Sequence, residues 1–486
     1  MRIVEVTSSD DLNPAAILAI AHGAQVDLQP ALLAAVSARR AEMLRALADG
    51  RPVYGVNTGM GAQSDVRLDP AEQSRHQNNL LLARAVGGPP WLSRLQVRAL
   101  YAVRLRTFLT GDAGVSPELM ELLAAFLNAD LMPAVPRTGY GNAGEIIPLA
   151  HAFGPLTGIG AVLAGDTTAA AATALRDAGL APITLGPKEG IALLQGIPGA
   201  TALALLIVER ARKQLDQWMT ALALSTAAIG APRDLYDAAL ARGDAALQTV
   251  NTAMRQRIAG TADNRRVLQA PVSFRVASAA LAHLLRSIEA VEQAIDRALN
   301  GVTDSPAFVD GQFHGTAGFH GLDLAAHLDG LTVAIVHIAE GGLTRTHRLL
   351  DSRFTGLPAQ LAPRPGPDTG LITVHKRSAG VVHRMRRAAM STVVGSIETS
   401  FGQEDMQTFS WEAAINTADT LADAADVLAG ELLVATQAIS LGETGLGPAL
   451  HNAQDAVRAV VPPIERDRIF GPDLEAIREL LENGDL

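Results

Sequence analysis

The chain has 486 residues, 48% of them hydrophobic and 19% charged, so it can bury a large core and is not predominantly disordered. It contains no cysteine, which excludes disulfides, cysteine-ligated zinc, iron–sulfur clusters and thiol nucleophiles. The formal net charge of -10 argues against non-specific binding to nucleic acid or to anionic membranes.

The first residues, Met-Arg-Ile-Val-Glu-Val, lack the basic-then-apolar pattern of a secretion signal. No uncharged apolar run reaches the length that spans a membrane. We therefore expect a cytoplasmic protein with neither a membrane nor a nucleic-acid partner.

The apolar residues are largely alanine and leucine, only 4% of the chain is aromatic, and 44 residues are glycine. This composition favours closely packed helices over extended sheets. The predicted fold class is therefore mainly all-α.

The first part of the chain alternates predicted helices with loops. Residues 1–50 are expected to form a short strand and two scaffold helices, and the Gly- and Asn-rich run after Pro52 marks a loop that carries Tyr54. The next helical pattern ends at Arg84, just before Gly87-Gly88-Pro89-Pro90. Taken alone, Arg84 has the ordinary interpretation of a last-turn cation that interacts with the helix dipole.

The stretch from Gly139 to His151 reads Gly-Tyr-Gly-Asn-Ala-Gly-Glu-Ile-Ile-Pro-Leu-Ala-His. Three glycines in six positions allow a tight loop with exposed backbone amides, and Glu145 and Pro148 suit the first turn of a helix. Amides at the positive end of a helix stabilise developing negative charge. Taken alone, the stretch is better explained as an ordinary Gly-rich turn before a buried helix.

The second half is dominated by long apolar periodicities over residues 276–299, 322–350 and 411–433. Helices this long and apolar bury themselves against one another, so a central bundle is predicted. Their excess apolar surface indicates packing between subunits. We divide the chain into an N-terminal domain, residues 1–195, and a long-helix bundle with C-terminal helices, residues 196–486.

Several polar clusters fall at predicted helix ends and loops of the second half. Each is weak evidence alone, because such residues usually form turns, caps or surface cations. They are Arg275 at a helix start, Asp304 in Asp-Ser-Pro, Phe319-His320, and Glu404 in Gln-Glu-Asp. Their joint order with the Tyr54 loop and the Gly139 to His151 stretch is what makes them informative.

In this combination the chain resembles the aromatic amino acid ammonia-lyase and aminomutase superfamily, over about residues 50 to 440. The resemblance implies a mainly α-helical subunit with a central bundle of long helices. It also implies a homotetramer in which each active site is built from three subunits.

That superfamily cyclises an Ala-Ser-Gly tripeptide and dehydrates its serine to form the electrophile 4-methylideneimidazol-5-one. Here the tripeptide is Asn142-Ala143-Gly144, and Ala143 has no hydroxyl to eliminate. We therefore expect no cofactor and no metal. The alternative is an oxidative route to the same ring, which would lower the chain mass by about 20 Da.

The resemblance also assigns roles to side chains. Tyr54 matches the catalytic base, Arg275 the arginine that pairs with the substrate carboxylate, Phe319 the pocket phenylalanine, and Glu404 the acid on the amino-group side. The amides of Gly141 to Gly144 would stabilise developing enolate charge.

Three pocket positions depart from the superfamily pattern: Gln195 replaces an asparagine, Val272 replaces a tyrosine, and Arg84 falls in the pair that selects the aromatic ring. Arg84 and Arg275 together favour a small substrate with a second anionic group. Alternatively, Arg84 and Glu404 form an internal ion pair. His320 and His375 are expected to be structural.

Three functions stay open at this point. The first is a lyase-like enzyme without the usual electrophile, which moves a proton beside the carboxylate of a small anionic substrate in an elimination, hydration, isomerisation or cyclisation. The second is an ammonia-lyase or aminomutase whose ring forms oxidatively. The third is a non-catalytic ligand-binding or partner subunit. We take the first as the working hypothesis.

Overall fold

The computed structural model describes residues 2–138, 142–484 and 486. Helices dominate this part of the chain. They are α1 Pro14–Ala21, α2 Pro30–Leu47, α3 Pro70–Arg84, α4 Arg94–Phe108, α5 Pro117–Asn128, α6 Ile146–Phe153, α7 Ala171–Asp177, α8 Glu189–Leu194, α9 Pro198–Ile229, α10 Ala245–Ile258, α11 Val272–Arg275, α12 Ala277–Asn300, α13 Leu322–Leu349, α14 Ser352–Thr355, α15 Ile372–Ala388, α16 Ser410–Leu441, α17 Pro448–Val460 and α18 Gly471–Asn483.

Strands are short and occur in pairs. They are β1 Ile3–Val6, β2 Gln25–Leu28, β3 Ala161–Ala164, β4 Thr167–Ala170, β5 Ala307–Val309 and β6 Gln312–His314. β1 and β2 are parallel, with Ile3 opposite Gln25, whereas β3–β4 and β5–β6 are antiparallel hairpins. The prediction of a mainly all-α fold is confirmed.

The chain forms two compact units. The first contains Met1–Leu206, Val291–Leu328 and Ser391–Ile415, and the second contains Ile207–Ala290, Asp329–Met390 and Asn416–Leu486. These units are discontinuous in sequence, and the domain boundary near residue 195 stays a prediction.

In the first unit, Arg98 joins the N-terminal elements from inside the core. Its side chain is 6% exposed, and it donates hydrogen bonds of 2.8 to 2.9 Å to the carbonyls of Ile20, Ala24 and Leu127. The Ile20 and Leu127 carbonyls lie in the last turns of α1 and α5, and the Ala24 carbonyl follows α1. The last carbonyls of a helix have no partner amide four residues further along the helix. One buried guanidinium therefore ties the segment around the end of α1 to the end of α5 through three backbone carbonyls.

The helix α3 begins with a capping box and ends at Arg84. The Asp69 carboxylate accepts from the Glu72 amide at 2.8 Å, the Glu72 carboxylate accepts from the Asp69 amide at 2.9 Å, and Pro70 opens the helix. This pairing satisfies two amides that the first turn cannot bond internally. The start of the helix that presents Arg84 is thereby fixed.

Gln77, a buried residue of α3, connects three parts of the first unit. Its amide nitrogen donates to the Gly55 carbonyl at 2.8 Å, and its amide oxygen accepts from the Ile191 amide of α8 at 3.1 Å. A Cβ on Gly190 would lie 2.1 Å from the Gln77 carbonyl oxygen, so α3 and α8 meet at backbone distance. The Tyr54 loop, α3 and α8 are therefore locked together.

The core of the second unit contains a buried ion pair. Nε and Nη2 of Arg345 donate to the two oxygens of the Glu431 carboxylate, at 2.7 and 2.8 Å, and the Ser225 hydroxyl donates to the same carboxylate at 2.8 Å. Bidentate pairing with a third donor compensates much of the desolvation of the two charges.

Among the described residues, three helical stretches are long and apolar enough to cross a membrane by length and composition: Glu189–Ile229, Gly318–Leu349 and Ser410–Leu441. In Glu189–Ile229, 94% of the most apolar window is buried inside the protein, and in Ser410–Leu441 the fraction is 83%. Packing inside the protein therefore accounts for most of the apolar character of these two stretches.

Candidate functional site

The loop that carries Tyr54 is closed by its own polar groups. The Asn57 side chain accepts from the Val53 amide at 2.7 Å, and the Thr58 hydroxyl accepts from the Gly55 amide at 3.2 Å. The Tyr54 phenol oxygen accepts from the Gly61 amide at 2.9 Å. A donor on this oxygen stabilises negative charge there, which a phenol acting as a base requires.

Arg84 lies beside this loop and has few partners. Its guanidinium makes two long hydrogen bonds, 3.4 Å to the Leu80 carbonyl and 3.7 Å to the Met60 sulfur. Burial lowers the pKa of Arg84, and the nearby Tyr54 and Glu404 partly offset that effect. Within the described residues no carboxylate lies within 4 Å of it, so the predicted Arg84–Glu404 ion pair is not formed there.

Glu404 lies in a turn that contacts the Tyr54 loop. The 3-10 turns Gly61–Gln63 and Ser400–Gly402 pack together, and Glu404 follows the second of them. The Thr399 hydroxyl donates to the Glu404 carboxylate at 2.6 Å. Tyr54, Arg84 and Glu404 therefore lie in one neighbourhood of the first unit.

The backbone of Asn142 to Gly144 turns tightly. The Asn142 amide donates to the Gly144 carbonyl at 3.1 Å, and Gly144 has a φ of +95°. A Cβ on Gly144 would lie 3.3 Å from the Phe319 carbonyl oxygen and 3.9 Å from that of Gly196. Ala143 is buried. Gly141, predicted to belong to this site, lies outside the described residues.

Phe319 and His320 form a turn that is tied to the segment after Glu404. His320 Nε2 lies 3.3 Å from the Met406 carbonyl oxygen, and the Thr408 hydroxyl donates to the His320 carbonyl. The Phe409 amide in turn donates to the Asn142 carbonyl at 3.3 Å. The segment from Glu404 to Phe409 therefore joins the Tyr54 neighbourhood to the Asn142–Gly144 turn.

Glu145, directly after this turn, is buried and bonded to the start of α9. Its two carboxylate oxygens accept from the Gly199 and Ala200 amides at 2.7 and 2.6 Å. Burial raises the pKa of Glu145 to about 7, although the Ala200 and Gly199 amides and Arg104 all act in the opposite direction. A carboxyl held this way titrates near neutral pH next to the turn.

Gln195 follows α8, and a hydrogen bond to its backbone carbonyl holds it in place. Buried Arg104 donates to the Gln195 carbonyl at 2.6 Å and lies over the Phe108 and Phe153 rings. Burial lowers the pKa of Arg104 to about 10. The backbone of Gln195 is thus fixed, and the adjoining Gly196 carbonyl lies beside Gly144.

Arg275 and Val272 belong to the second unit, so the structure does not group them with the residues above. Both line a cleft of about 950 Å³ in that unit, together with Arg265 and Leu268. His375 also lies in the second unit, where its ring stacks on His347 with centroids 4.5 Å apart.

The structure adds contacts that the sequence did not predict. Asp304 pairs with buried Lys188, and Asp304 Oδ1 is buried without a partner in the described part of the chain. Thr399 and Gln407 surround Glu404. A charged residue inside an otherwise apolar helix, such as Arg104, is a sequence signal for a buried charged group. No sequence signal identifies Thr399 or Gln407.

Comparison with known proteins decides the family. A model described as aromatic amino acid lyase matches residues 12–459. The chain belongs to this family. A histidine ammonia-lyase of Symbiobacterium thermophilum is 34% identical, over 97% of this chain and 95% of that protein.

Solved structures agree with the family. A tyrosine aminomutase from Streptomyces globisporus is 26% identical, with a TM-score of 0.92, over 100% of this chain and 97% of that one. A histidine ammonia-lyase from Trypanosoma cruzi is also 26% identical, with a TM-score of 0.89, over 100% and 94%. The predicted resemblance and the helical ammonia-lyase fold are confirmed.

The expectation that the chain carries no cofactor is contradicted by these relatives, since histidine ammonia-lyases and aminomutases carry methylideneimidazolone. That expectation rested on one side chain, whereas the backbone of Asn142 to Gly144 keeps a tight turn that suits ring closure. The side chain departs from the family, because alanine at 143 lacks the hydroxyl that the usual dehydration removes.

Proposed function

We propose that this member of the aromatic amino acid lyase family eliminates ammonia from a small amino acid that carries a second anionic group. One observation carries the proposal: Arg84 lies beside Tyr54 and Glu404 and has no acidic partner within 4 Å among the described residues. A half-buried guanidinium with spare donors is a strong site for a carboxylate or sulfonate.

Tyr54 is proposed as the base that removes the proton from the carbon next to the reacting centre. Its oxygen accepts the Gly61 amide, which supports the deprotonated form, and the positive charge of Arg84 acts in the same direction. A substrate anion bound to Arg84 would lie close to that proton, and a carboxylate on the same carbon makes the proton more acidic.

Arg275 is proposed to bind the α-carboxylate, and Glu404 to face the amino group. The family resemblance supports these roles and a homotetramer with active sites shared between subunits, so that Arg275 would act in a site assembled from several chains. Gln195, Val272 and Phe319 would shape the pocket. A cytoplasmic location and the absence of a nucleic-acid or membrane partner stay predictions.

Asn142, Ala143 and Gly144 are the residues that would form the prosthetic group of the family. When present, that group is an electrophile that turns the amino group into a leaving group. The side chains considered above bind, orient and deprotonate the substrate, and these roles are the same whatever the chemical state of the tripeptide.

A second candidate concerns the origin of the ring. The 3.1 Å hydrogen bond from the Asn142 amide to the Gly144 carbonyl holds the tripeptide in a compact turn. In this route the Gly144 nitrogen would close onto the Asn142 carbonyl carbon, with loss of water. Dioxygen would then remove two hydrogens from the Cα and Cβ of Ala143 and become hydrogen peroxide. An intact mass about 20 Da below the translated mass supports this route, and the translated mass excludes it.

The main proposal is tested with a panel of amino acids and two variants. Ammonia release should be detected with L-aspartate, L-glutamate or L-cysteate and not with L-histidine, L-tyrosine or L-phenylalanine. Arg84→Met should lower kcat/KM for the anionic substrate by about 10- to 100-fold, the loss expected when one charge-assisted hydrogen bond is removed.

Arg75→Met, an exposed arginine on the same helix, is the matched control and should behave as the wild type. Turnover of L-histidine with none of the anionic amino acids would contradict the proposal. So would an Arg84→Met variant with unchanged kcat/KM.

A further inference from the structure

The turn that carries Glu404 has an unusual backbone. Ser400, Phe401 and Gly402 have consecutive positive φ angles of 54°, 55° and 84°. The turn is closed by the Thr399 amide, which donates to the Glu404 carbonyl at 2.9 Å, and by the Glu404 amide, which donates back at 3.3 Å. Non-glycine residues in this region are strained, and such strain persists only where the surrounding contacts enforce it.

A directional chain of hydrogen bonds ends on the Glu404 carboxylate. The Gln407 amide nitrogen donates to the Thr399 hydroxyl oxygen at 3.1 Å and to the Glu404 carbonyl at 3.2 Å. The Thr399 hydroxyl has one proton, which it donates to Glu404 Oε2 at 2.6 Å. Oε2 must therefore act as an acceptor, as it does in an ionised carboxylate.

Gln407 cannot easily reverse this direction. Its side chain is 2% exposed, and the Ser396 hydroxyl oxygen accepts from its backbone amide at 2.8 Å. Flipping the side-chain amide would place Oε1 against the Glu404 carbonyl oxygen, an unfavourable contact between two acceptors. Oε1 itself is buried and has no partner in the described part of the chain, so Gln407 forgoes one bond to keep this orientation.

We propose that Thr399 and Gln407 are positioning residues that fix the Glu404 carboxyl group by occupying Oε2, so that Oε1 is left to accept a hydrogen bond from the substrate ammonium. The inference rests on the proposed function for the identity of the ligand, but the hydrogen-bond chain stands without it. It assigns the anchoring contact to Oε2 and the contact with the amino group to Oε1.

A ligand-free measurement tests the positioning. The infrared carboxylate band of Glu404 is isolated by subtracting the spectrum of Glu404→Gln, and its frequency at one fixed pH is compared in Thr399→Val, Thr399→Ser and the wild type. Valine has nearly the shape of threonine but no hydroxyl, so the band should shift in that variant because Oε2 loses its donor, while serine should restore the wild-type frequency. Identical frequencies in all three proteins would overturn the inference.

A binding measurement tests the role with the amino group. L-aspartate and succinate differ by that group, and calorimetric titration compares them on the wild type and on Thr399→Val. The affinity for L-aspartate should fall about tenfold, as expected for one charge-assisted bond, while that for succinate stays within about twofold. Equal losses for both ligands would contradict a role with the ammonium.

The outcomes separate the two proposals. An infrared shift in a protein that binds none of L-aspartate, L-glutamate and L-cysteate leaves the hydrogen-bond chain established and defeats both the proposed substrate class and the ammonium role. Binding without an infrared shift supports the substrate class and defeats the positioning. Gln407→Leu provides a second variant of the chain, and thermal unfolding midpoints show whether each variant is folded.

Discussion

At the scale of single residues, Glu145 is the clearest case of a side chain whose environment sets its chemistry. It is fully buried, accepts hydrogen bonds from two backbone amides at the start of α9, and directly follows Gly144. Its pKa rises from 4.5 to about 7, chiefly because burial disfavours the charged form. The free energy of folding should therefore depend on pH through this one group.

Because the folded-state pKa is raised, the stability that Glu145 contributes is fully present below about pH 4.5 and is lost as the pH rises to about 7. At about 1.4 kcal/mol per pKa unit, the loss amounts to roughly 3 kcal/mol. Glu145→Gln should remove this dependence. Between pH 5 and pH 8 the unfolding midpoint of the wild type should fall relative to that of the variant, whereas parallel curves would contradict the assignment.

Individual site residues could be predicted where a sequence motif carried them. Tyr54, Arg84 and Glu404 were identified in that way, and they share one neighbourhood of the first unit. Thr399 and Gln407 could not be predicted, since their importance depends on a turn of three left-handed residues that no local pattern announces. The expectation that the chain carries no cofactor was wrong, because it relied on the missing hydroxyl of Ala143 and set aside the prosthetic group that the family carries.

At the scale of elements, α3 is the helix on which the proposed specificity depends. It starts at a capping box between Asp69 and Glu72 and presents Arg84 at its other end. Loss of an N-terminal cap costs a helix about 1 kcal/mol, which is felt mainly in the first turn.

Asp69→Ala should therefore increase hydrogen exchange at the Glu72 amide about fivefold and leave the Leu81 amide unchanged. Asp69→Asn, which keeps a capping oxygen, is the control. An equal increase along the whole of α3 would mean that the cap stabilises the complete helix and not only its start.

Most of the long elements could be predicted, because their apolar periodicity is strong. The helices α12, α13 and α16 match the predicted runs over residues 276–299, 322–350 and 411–433. The region from Leu156 to Thr184, for which no element is predicted above, contains the β3–β4 hairpin and α7. Its small side chains, many of them Ala, Gly and Thr, show neither the helical nor the strand periodicity clearly. The pairing of β3 with β4 therefore depends on contacts distant in sequence.

At the scale of the whole molecule, large apolar side chains remain exposed on one chain. Phe401 is 98% exposed, Leu268 85%, Met390 77% and Val394 76%. Exposed apolar residues in such number indicate a surface that is covered in the assembled protein. With the family resemblance, they support the homotetramer.

Light scattering after size-exclusion chromatography should therefore give about four times the chain mass of 50.8 kDa. Val394→Asp should reduce this mass, because a charge would be desolvated at the interface, while Val394→Ala should retain it. A wild type that elutes as a monomer would contradict the tetramer.

The contacts of Gln77 have a consequence for how this enzyme can change during evolution. The Tyr54 loop, the helix that presents Arg84 and the helix that ends before Gln195 are joined through one side chain and one glycine, with no room for even a methyl group. Insertions or shifts in any of the three would be transmitted to the other two. We therefore expect substitutions of the side chains at 84 and 195 to disturb these contacts less than insertions in any of the three elements.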